Sequence, residues 1–97
     1  MMHPPSLSSR VHVPDGILFH TLEDELVLLN LNTGVYFGLN RVGTRIWRLL
    51  NEHPSSSLQQ ILSILVIEYA VTESRCAEEL LSLVARLQEK RLLEVVH

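Results

Sequence analysis

LVLLNLNTGVYFGLNRVGTRIWRLL, residues 26–50, is the stretch that decides the fold of this chain. Two apolar, β-branched or aromatic runs, 26–31 and 35–39, flank the loop residues 32–34, which read Asn-Thr-Gly. Asn and Gly tolerate the positive φ of a tight turn, and Gly34 at the third loop position suits a loop that ends in a G1 bulge. The stretch therefore predicts a β-hairpin that runs almost directly into a helix.

The second strand of that hairpin alternates between two faces. Successive side chains of a strand point to opposite sides, so Val35, Phe37 and Leu39 share one face. Tyr36 and Gly38 share the other. We expect the first set to face the core, whereas Gly38, which has no side chain, leaves backbone open to the approach of another chain.

A helix is predicted immediately after this strand. Asn40 stands at the N-cap position, where its side chain accepts from free N–H groups of the first turn. The helix should end near His53, because Pro54 disfavours the α region for the residue before it. Trp47 lies at the border of the apolar face, and we expect it to anchor the core. The residues of that face are Val42, Ile46, Leu49 and Leu50.

The run GVYFGLNRVGTRIW, residues 34–47, resembles the PqqD family, and its Leu-Asn-x-x-Gly-x-x-Ile-Trp core carries most of the likeness. That family comprises small winged-helix-like domains that recognise the leader peptides of ribosomally made, post-translationally modified peptides (RiPPs). The resemblance extends over about residues 11–96, and stand-alone relatives in lasso-peptide clusters are similar in length and layout. It implies an α+β, winged-helix-like domain with a small three-stranded antiparallel sheet followed by three helices.

The chain of 97 residues, 46% of them hydrophobic, has room for one domain with a modest core. We assign residues 1–9, which are rich in Pro and Ser, to a loose N-terminal tail, and residues 10–97 to a PqqD-like peptide-recognition domain. The alternation from Val11 to Phe19 predicts a first strand, interrupted at 14–16 where Pro-Asp-Gly favours a turn or bulge.

The second helix is predicted to begin at a cap among residues 55–57, with Gln59 or Gln60 as the capping-box partner. Ile64 and Ile67 fall on its polar side, either as an exposed sticky patch or as isolated surface side chains. The residues assigned to its core face are Leu58, Ile61, Leu62, Leu65 and Tyr69.

The third helix is predicted over residues 72–90, with Thr72 as its N-cap. Its apolar residues cover an arc of roughly 160°, wider than the ~100° that docking on one core requires. One edge of the arc is therefore available to contact a surface other than the core. Residues 92–96 return as a short strand or simply pack.

The composition argues against several classes of protein. A net charge of −3 is unlike that of proteins that bind phosphate backbones, and Arg41, Arg45 and Arg48 on one helix face are interpreted as solvated surface. The five histidines are scattered without ligand spacing, and Cys76 falls on an apolar helix face. There is no phosphate loop, Ser-centred elbow or paired-carboxylate signature. We therefore predict a protein that is not an enzyme and needs no cofactor or metal.

The resemblance also implies a site. In the PqqD family the leader peptide is bound between the last strand of the hairpin and the third helix, here residues 35–39 and 72–90. An open strand edge accepts a peptide as a further strand, and pockets beside it take alternate side chains. For the leucines, ordinary core packing is the alternative. The candidate peptide-binding residues are Val35, Tyr36, Phe37, Gly38, Leu80, Leu83, Val84 and Leu87.

The resulting hypothesis is a non-catalytic chaperone that presents a precursor leader peptide to a processing enzyme, with no nucleic acid or membrane as partner. The resemblance favours a leader peptidase of lasso-peptide type, contacted through Ile64 and Ile67 or the Arg41 face, and a radical-SAM maturase is the second option. The competing class is a self-associating subunit, in which the same strand edge pairs with itself to form a homodimer. One cysteine and the lack of a secretory signal favour the cytoplasm.

Overall fold

The computed structural model describes residues 4–96, in which four strands are followed by three helices and a last short strand. In chain order the elements are β1 (Arg10–His12), β2 (Ile17–Leu22), β3 (Glu25–Asn30), β4 (Val35–Leu39), α1 (Arg41–Glu52), α2 (Leu58–Tyr69), α3 (Glu73–Glu89) and β5 (Glu94–Val96).

The central feature is a three-stranded antiparallel sheet of order β2-β3-β4. Its register places Leu28 opposite Phe19 on one side and Phe37 on the other. The three helices follow β4 in the chain, and α1 packs on β3 and β4. The predicted fold class, an α+β domain with a three-stranded antiparallel sheet followed by three helices, is confirmed.

The predicted interrupted first strand is wrong, because its two halves belong to different sheets. β1 pairs antiparallel with β5, with Val11 opposite Val95, and forms a separate two-stranded sheet. β2 pairs with β3 instead. The chain turns between them at Gly16, whose φ of 86° is left-handed and whose carbonyl accepts from Leu31 N at 2.9 Å. The short strand predicted within 92–96 is confirmed as β5.

The predicted hairpin is confirmed, but its loop is one residue longer than the sequence suggested. Leu31 leaves the strand and is 57% exposed, so the loop comprises residues 31–34. Gly34, at φ 74°, donates its N–H to Asn30 O at 2.7 Å. The Asn30 side chain accepts from Asn32 N at 2.8 Å, and this extra bond favours the four-residue loop over the predicted three.

The start of α1 is fixed to the sheet by two side chains. Asn40 is the N-cap, as predicted, and its Oδ1 accepts from Gly43 N at 2.8 Å. Thr44 is buried one turn later; its Oγ1 accepts from Leu26 N at 3.1 Å and donates to Leu39 O at 3.3 Å. One hydroxyl group therefore joins the helix to two strands.

The start of α2 carries the predicted capping box, formed by Ser57 and Gln60. Residues that the sequence placed in a loose tail are bonded to it: Leu58 N donates to Ser9 O at 2.9 Å, and Gln59 N donates to Leu7 O at 2.8 Å. Residues 7–9 thus satisfy helix N–H groups, which is why Ser9 is buried. Residues 1–3 of the predicted tail lie outside the described residues.

The third helix begins one residue later and ends one residue earlier than the predicted range 72–90. Thr72 is the N-cap by backbone geometry but makes no side-chain cap hydrogen bond. At the other end Arg91 is left-handed, with φ 58°, and Leu92 N donates back to Leu87 O at 2.8 Å. This turn directs the chain into β5.

The core lies between the inner face of the sheet and the helices. Trp47 is 4% exposed, as expected for a core anchor, whereas Tyr69 is 37% exposed and so lies off the core face predicted for α2. Ile67 is 83% exposed and Ile64 is half-buried. Within residues 4–96 no helix has the length and apolar character needed to cross a bilayer. The other core side chains of the helices include Ile46, Leu49, Leu58, Ile61, Leu62, Leu65, Leu80, Val84 and Leu87.

Candidate functional site

The β4 strand forms one edge of the three-stranded sheet. It pairs with β3 on one side, and among residues 4–96 no strand pairs with its other side. In an antiparallel ladder, alternate residues of an edge strand direct their N–H and C=O groups away from the sheet. A Cβ added at Gly38 would project into open space. This edge is therefore available to another extended chain.

A groove of about 600 Å³ runs beside that edge. One wall is β4 with the first turns of α1, and the other wall is α3. Its lining comprises Phe37, Gly38, Leu39, Asn40, Val42, Gly43 and Ile46 from the first wall, and Glu78, Glu79, Ser82, Leu83 and Arg86 from the second.

Two contacts fix how α3 lies relative to β4. The Arg86 guanidinium stands 5.9 Å from the centroid of the Phe37 ring. Further along, Asn30 Nδ2, beside the start of β4, donates to Arg91 O at 2.8 Å. The C-terminal end of α3 therefore lies beside the beginning of β4, and the two elements run in opposite directions along the groove.

The floor of the groove is apolar. Leu39, Ile46 and Leu83 are almost fully buried, and Phe37 is half-buried. Gly43 lets α1 start close to the strand, because a Cβ there would lie only 3.2 Å from Leu39 Cδ2. The groove can thus bury apolar side chains of a bound chain while the β4 backbone supplies hydrogen bonds.

The predicted site residues divide into two groups. Phe37, Gly38 and Leu83 line the groove, and Val35 lies half-buried on the same face as Phe37. Tyr36 is 69% exposed on the opposite, outer face of the sheet. That face also carries exposed Leu18 and Leu22 from β2.

The other predicted contacts need correction. Leu80, Val84 and Leu87 each have 0% exposure and belong to the hydrophobic core, as the alternative of ordinary core packing held. The wide apolar arc of α3 has a structural explanation: this helix packs on α2, and Leu80, Leu83, Val84 and Leu87 of the arc all belong to the hydrophobic core. Of its four predicted contact residues, only Leu83 lies at the groove.

The polar residues of the groove were not predicted. Glu79 and Arg86 stand four residues before and three residues after Leu83, and this spacing puts them on the same side of α3. Starting from Leu83, the i−4 and i+3 spacing of a helix would have identified both residues. The sequence prediction considered only the apolar arc of α3 and therefore omitted them.

Cys76 lies half-buried near the N-terminal part of α3. Burial raises the pKa of its thiol, and the nearby charge of Glu79 raises that pKa further. Both effects disfavour the thiolate, which is the nucleophilic form. The environment of Cys76 is therefore not that of an activated nucleophile.

The arginines of α1 are partly neutralised by carboxylates. Arg41 Nη2 lies 3.1 Å from Asp24 Oδ2, and Arg45 makes two short hydrogen bonds to Glu68, at 2.8 and 2.9 Å. Two of the three arginines on this helix face are thus paired with carboxylates, which reduces its attraction for a phosphate backbone. Over residues 4–96, no cluster of three or more His, Cys, Asp or Glu side chains is arranged to hold a metal ion.

Comparison with known proteins agrees with this architecture. Residues 25–93, which span β3 through the turn before β5, match the family described as coenzyme PQQ synthesis protein D (PqqD). The solved structure of TbiB1 in complex with the TbiA(beta) leader peptide is 38% identical to this chain and superimposes with a TM-score of 0.77. That match covers 84% of this chain and 93% of TbiB1. No curated protein matches the chain. The chain belongs to the PqqD family.

Proposed function

We propose that this member of the PqqD family is a non-catalytic protein that binds the leader of a ribosomal precursor peptide and presents it to a processing enzyme. The observation that carries the proposal is the open β4 edge beside an apolar groove. The similarity to TbiB1, a protein whose structure contains a leader peptide, supports the same reading.

Binding would proceed by strand addition. The leader would pair with the outward N–H and C=O groups of β4 and extend the sheet from three strands to four. Main-chain hydrogen bonds would supply affinity that depends little on sequence, and alternate side chains would enter the groove and supply selectivity. Phe37 and Leu83 would contact those side chains, with Val35 and Gly38 along the strand.

Tyr36 would have a different role from that of the groove residues. It lies on the outer face of β4, so it would border the peptide side chains that point away from the groove. We assign the binding domain to residues 10–97, with residues 7–9 fastened to α2 as an extension of it.

The partner that receives the peptide is proposed to be a leader peptidase of lasso-peptide type, with a radical-SAM maturase as the second option. Ile67 is the better candidate contact for such a partner, since it is 83% exposed, while Arg41 already pairs with Asp24. The single cysteine is compatible with a reducing cytoplasm, where we place this activity.

The experiment that tests the proposal titrates this protein with the fluorescein-labelled leader of the precursor peptide that is encoded beside its gene. Fluorescence anisotropy measures the binding, and amide hydrogen exchange locates it. We expect saturable binding and slower exchange of alternate amides of β4. Amides of the outer edge of β2 provide the internal control and should be unchanged. Absence of binding well above micromolar concentration, or protection on β2 instead of β4, would reject the proposal.

A self-associating subunit is the second candidate, and the same open edge of β4 supports it. In that case two copies would pair edge to edge and fill each other's groove. Sedimentation velocity across a dilution series distinguishes the two: a dimer that persists at the lowest concentrations and excludes the labelled leader would favour this candidate.

A further inference from the structure

The two ends of the groove differ in charge. Glu78 and Glu79 line one part of it, and Arg86 lines another, all three from α3. At 1.5 Å of rise per residue, Glu78 and Arg86 are separated by about 12 Å along the helix axis. The groove therefore has a negatively charged end and a positively charged end in addition to its apolar floor.

The orientation of this dipole on the strand follows from the contacts that place α3. Arg86 stands over Phe37, in the middle of β4, and the helix then continues toward Asn30 beside the strand's first residue. The carboxylates, two turns earlier on the helix, therefore lie toward the Leu39 end of β4. The negatively charged end of the groove thus lies beside the C-terminal end of β4, and the positively charged end lies beside the beginning and middle of β4.

These charges are available to a ligand. Among residues 4–96 the one ion-pair partner of Glu79 is Arg75, whose Nε lies 3.7 Å from the carboxylate, and both side chains are more than half exposed. Within residues 4–96, neither Glu78 nor Arg86 forms an ion pair closer than 4.0 Å. The contact of Arg86 with the Phe37 ring holds it at the groove without neutralising it.

From this arrangement we infer that the groove selects peptides by the order of their charges. A strand added antiparallel to β4 runs from the carboxylate end of the groove to the arginine end, and antiparallel pairing matches the rest of this sheet. Four residues of such a strand span about 13.6 Å, and residues four apart face the same side. The preferred ligand is an extended segment with a basic residue four positions before an acidic residue and apolar side chains between them. The inference rests on the proposed function and adds the chemical class of segment that the same site takes.

The experiment uses a random library of nine-residue peptides displayed on their encoding RNA and selected on the full chain. We expect the selected pool to be enriched in Lys or Arg four positions before Asp or Glu. The charge-reversed variant Glu78→Lys, Glu79→Lys, Arg86→Glu should select the opposite order. Glu94→Lys, which changes an exposed charge on β5 outside the groove lining, is the matched control and should select as the natural chain does.

A selected peptide and its charge-swapped version are then compared by anisotropy. Because each exposed ion pair contributes little, the swap should weaken binding by about threefold to tenfold at low salt, and the difference should shrink in 0.5 M salt. Selection of apolar peptides without charge order would overturn this inference and leave the proposed function standing, as would selection of the acidic-before-basic order. Failure to enrich any peptide would count against both.

Discussion

The sheet has two open edges, β2 and β4, and they differ in what stands beside them. Phe19 of β2 and Phe37 of β4 flank the same residue, Leu28 of β3, on the same face of the sheet. Phe19 is 63% exposed, whereas Phe37 is half-buried beneath Arg86. Within residues 4–96 both edges are therefore unpaired, but of the two only β4 lies beside the groove with its apolar floor. An open edge becomes a selective site when a second element walls it.

The chain connections cause this difference. Only Asn40 separates β4 from α1, so the helix starts against the strand, and α3 later returns to it through the Asn30 to Arg91 hydrogen bond. β2 is preceded by the turn at Gly16 and β1, which belongs to the other sheet. The start of α1 and the end of α3 both lie beside β4, and this placement gives β4 a groove that β2 lacks within residues 4–96.

The largest predicted effect compares the two phenylalanines. Phe37→Ala removes a half-buried ring from the groove, and we expect leader affinity to fall more than tenfold, about 1.4 kcal/mol, with a stability loss of about 1–3 kcal/mol. Phe19→Ala should leave affinity within about twofold and stability within about 0.5 kcal/mol, because its ring contacts little. Anisotropy and urea denaturation measure the two quantities. Equal losses of affinity in both variants would mean that β4 is not the binding edge.

A smaller effect, on stability alone, is expected near the neighbouring row of the sheet, in which Thr21, Leu26 and Leu39 lie side by side. Thr44→Val keeps the shape of the bridging side chain but leaves the buried Leu26 N–H without its acceptor, which should cost about 1–3 kcal/mol of stability.

Thr21→Val, on the exposed edge of the same row, is the matched control and should change stability by about 0.5 kcal/mol or less. Urea denaturation at pH 7 compares the variants. If Thr44→Val is as mild as Thr21→Val, the hydroxyl bridge does not hold α1 against the sheet.

The smallest effect concerns the ion pair of Arg45 with Glu68, which links α1, a helix that lines the groove, to α2. The hydrogen bond from Arg45, together with its charge, lowers the pKa of Glu68 below its ordinary value of 4.5. A carboxyl group with a lowered folded pKa stabilises the protein above its unfolded pKa and loses that contribution as the pH falls through the folded value.

Stability should therefore decline from about pH 5 downward, and part of that decline should be missing in Glu68→Gln. Thermal unfolding at pH 7, 5, 4 and 3 measures it. Glu89→Gln, which alters a carboxylate that forms no ion pair closer than 4.0 Å within residues 4–96, is the control and should follow the natural curve. Parallel curves for all three proteins would show that the Arg45–Glu68 pair has no net effect.

Local signals predicted the elements well. The positive φ at Gly34, the Asn40 cap and the Ser57–Gln60 capping box each depend on groups within four residues of one another, and each is present, although the hairpin loop is one residue longer than predicted. The predicted site was located less well on α3. The core buries most of the apolar arc of α3, and periodicity alone cannot tell a core contact from a residue that lines a groove.

The sequence by itself determined the hairpin, the helix boundaries to within a residue or two, and the likeness to the PqqD family, because turns, caps and spacing depend on nearby residues. Tertiary structure alone decided three further features. It paired β1 with β5 across more than eighty residues of chain, buried Leu80, Val84 and Leu87, and placed Arg86 over Phe37. These features depend on which surfaces meet when elements distant in the chain share one core. The hydrophobic effect is non-directional, so an apolar pattern in the sequence shows that a surface is buried but not which surface covers it.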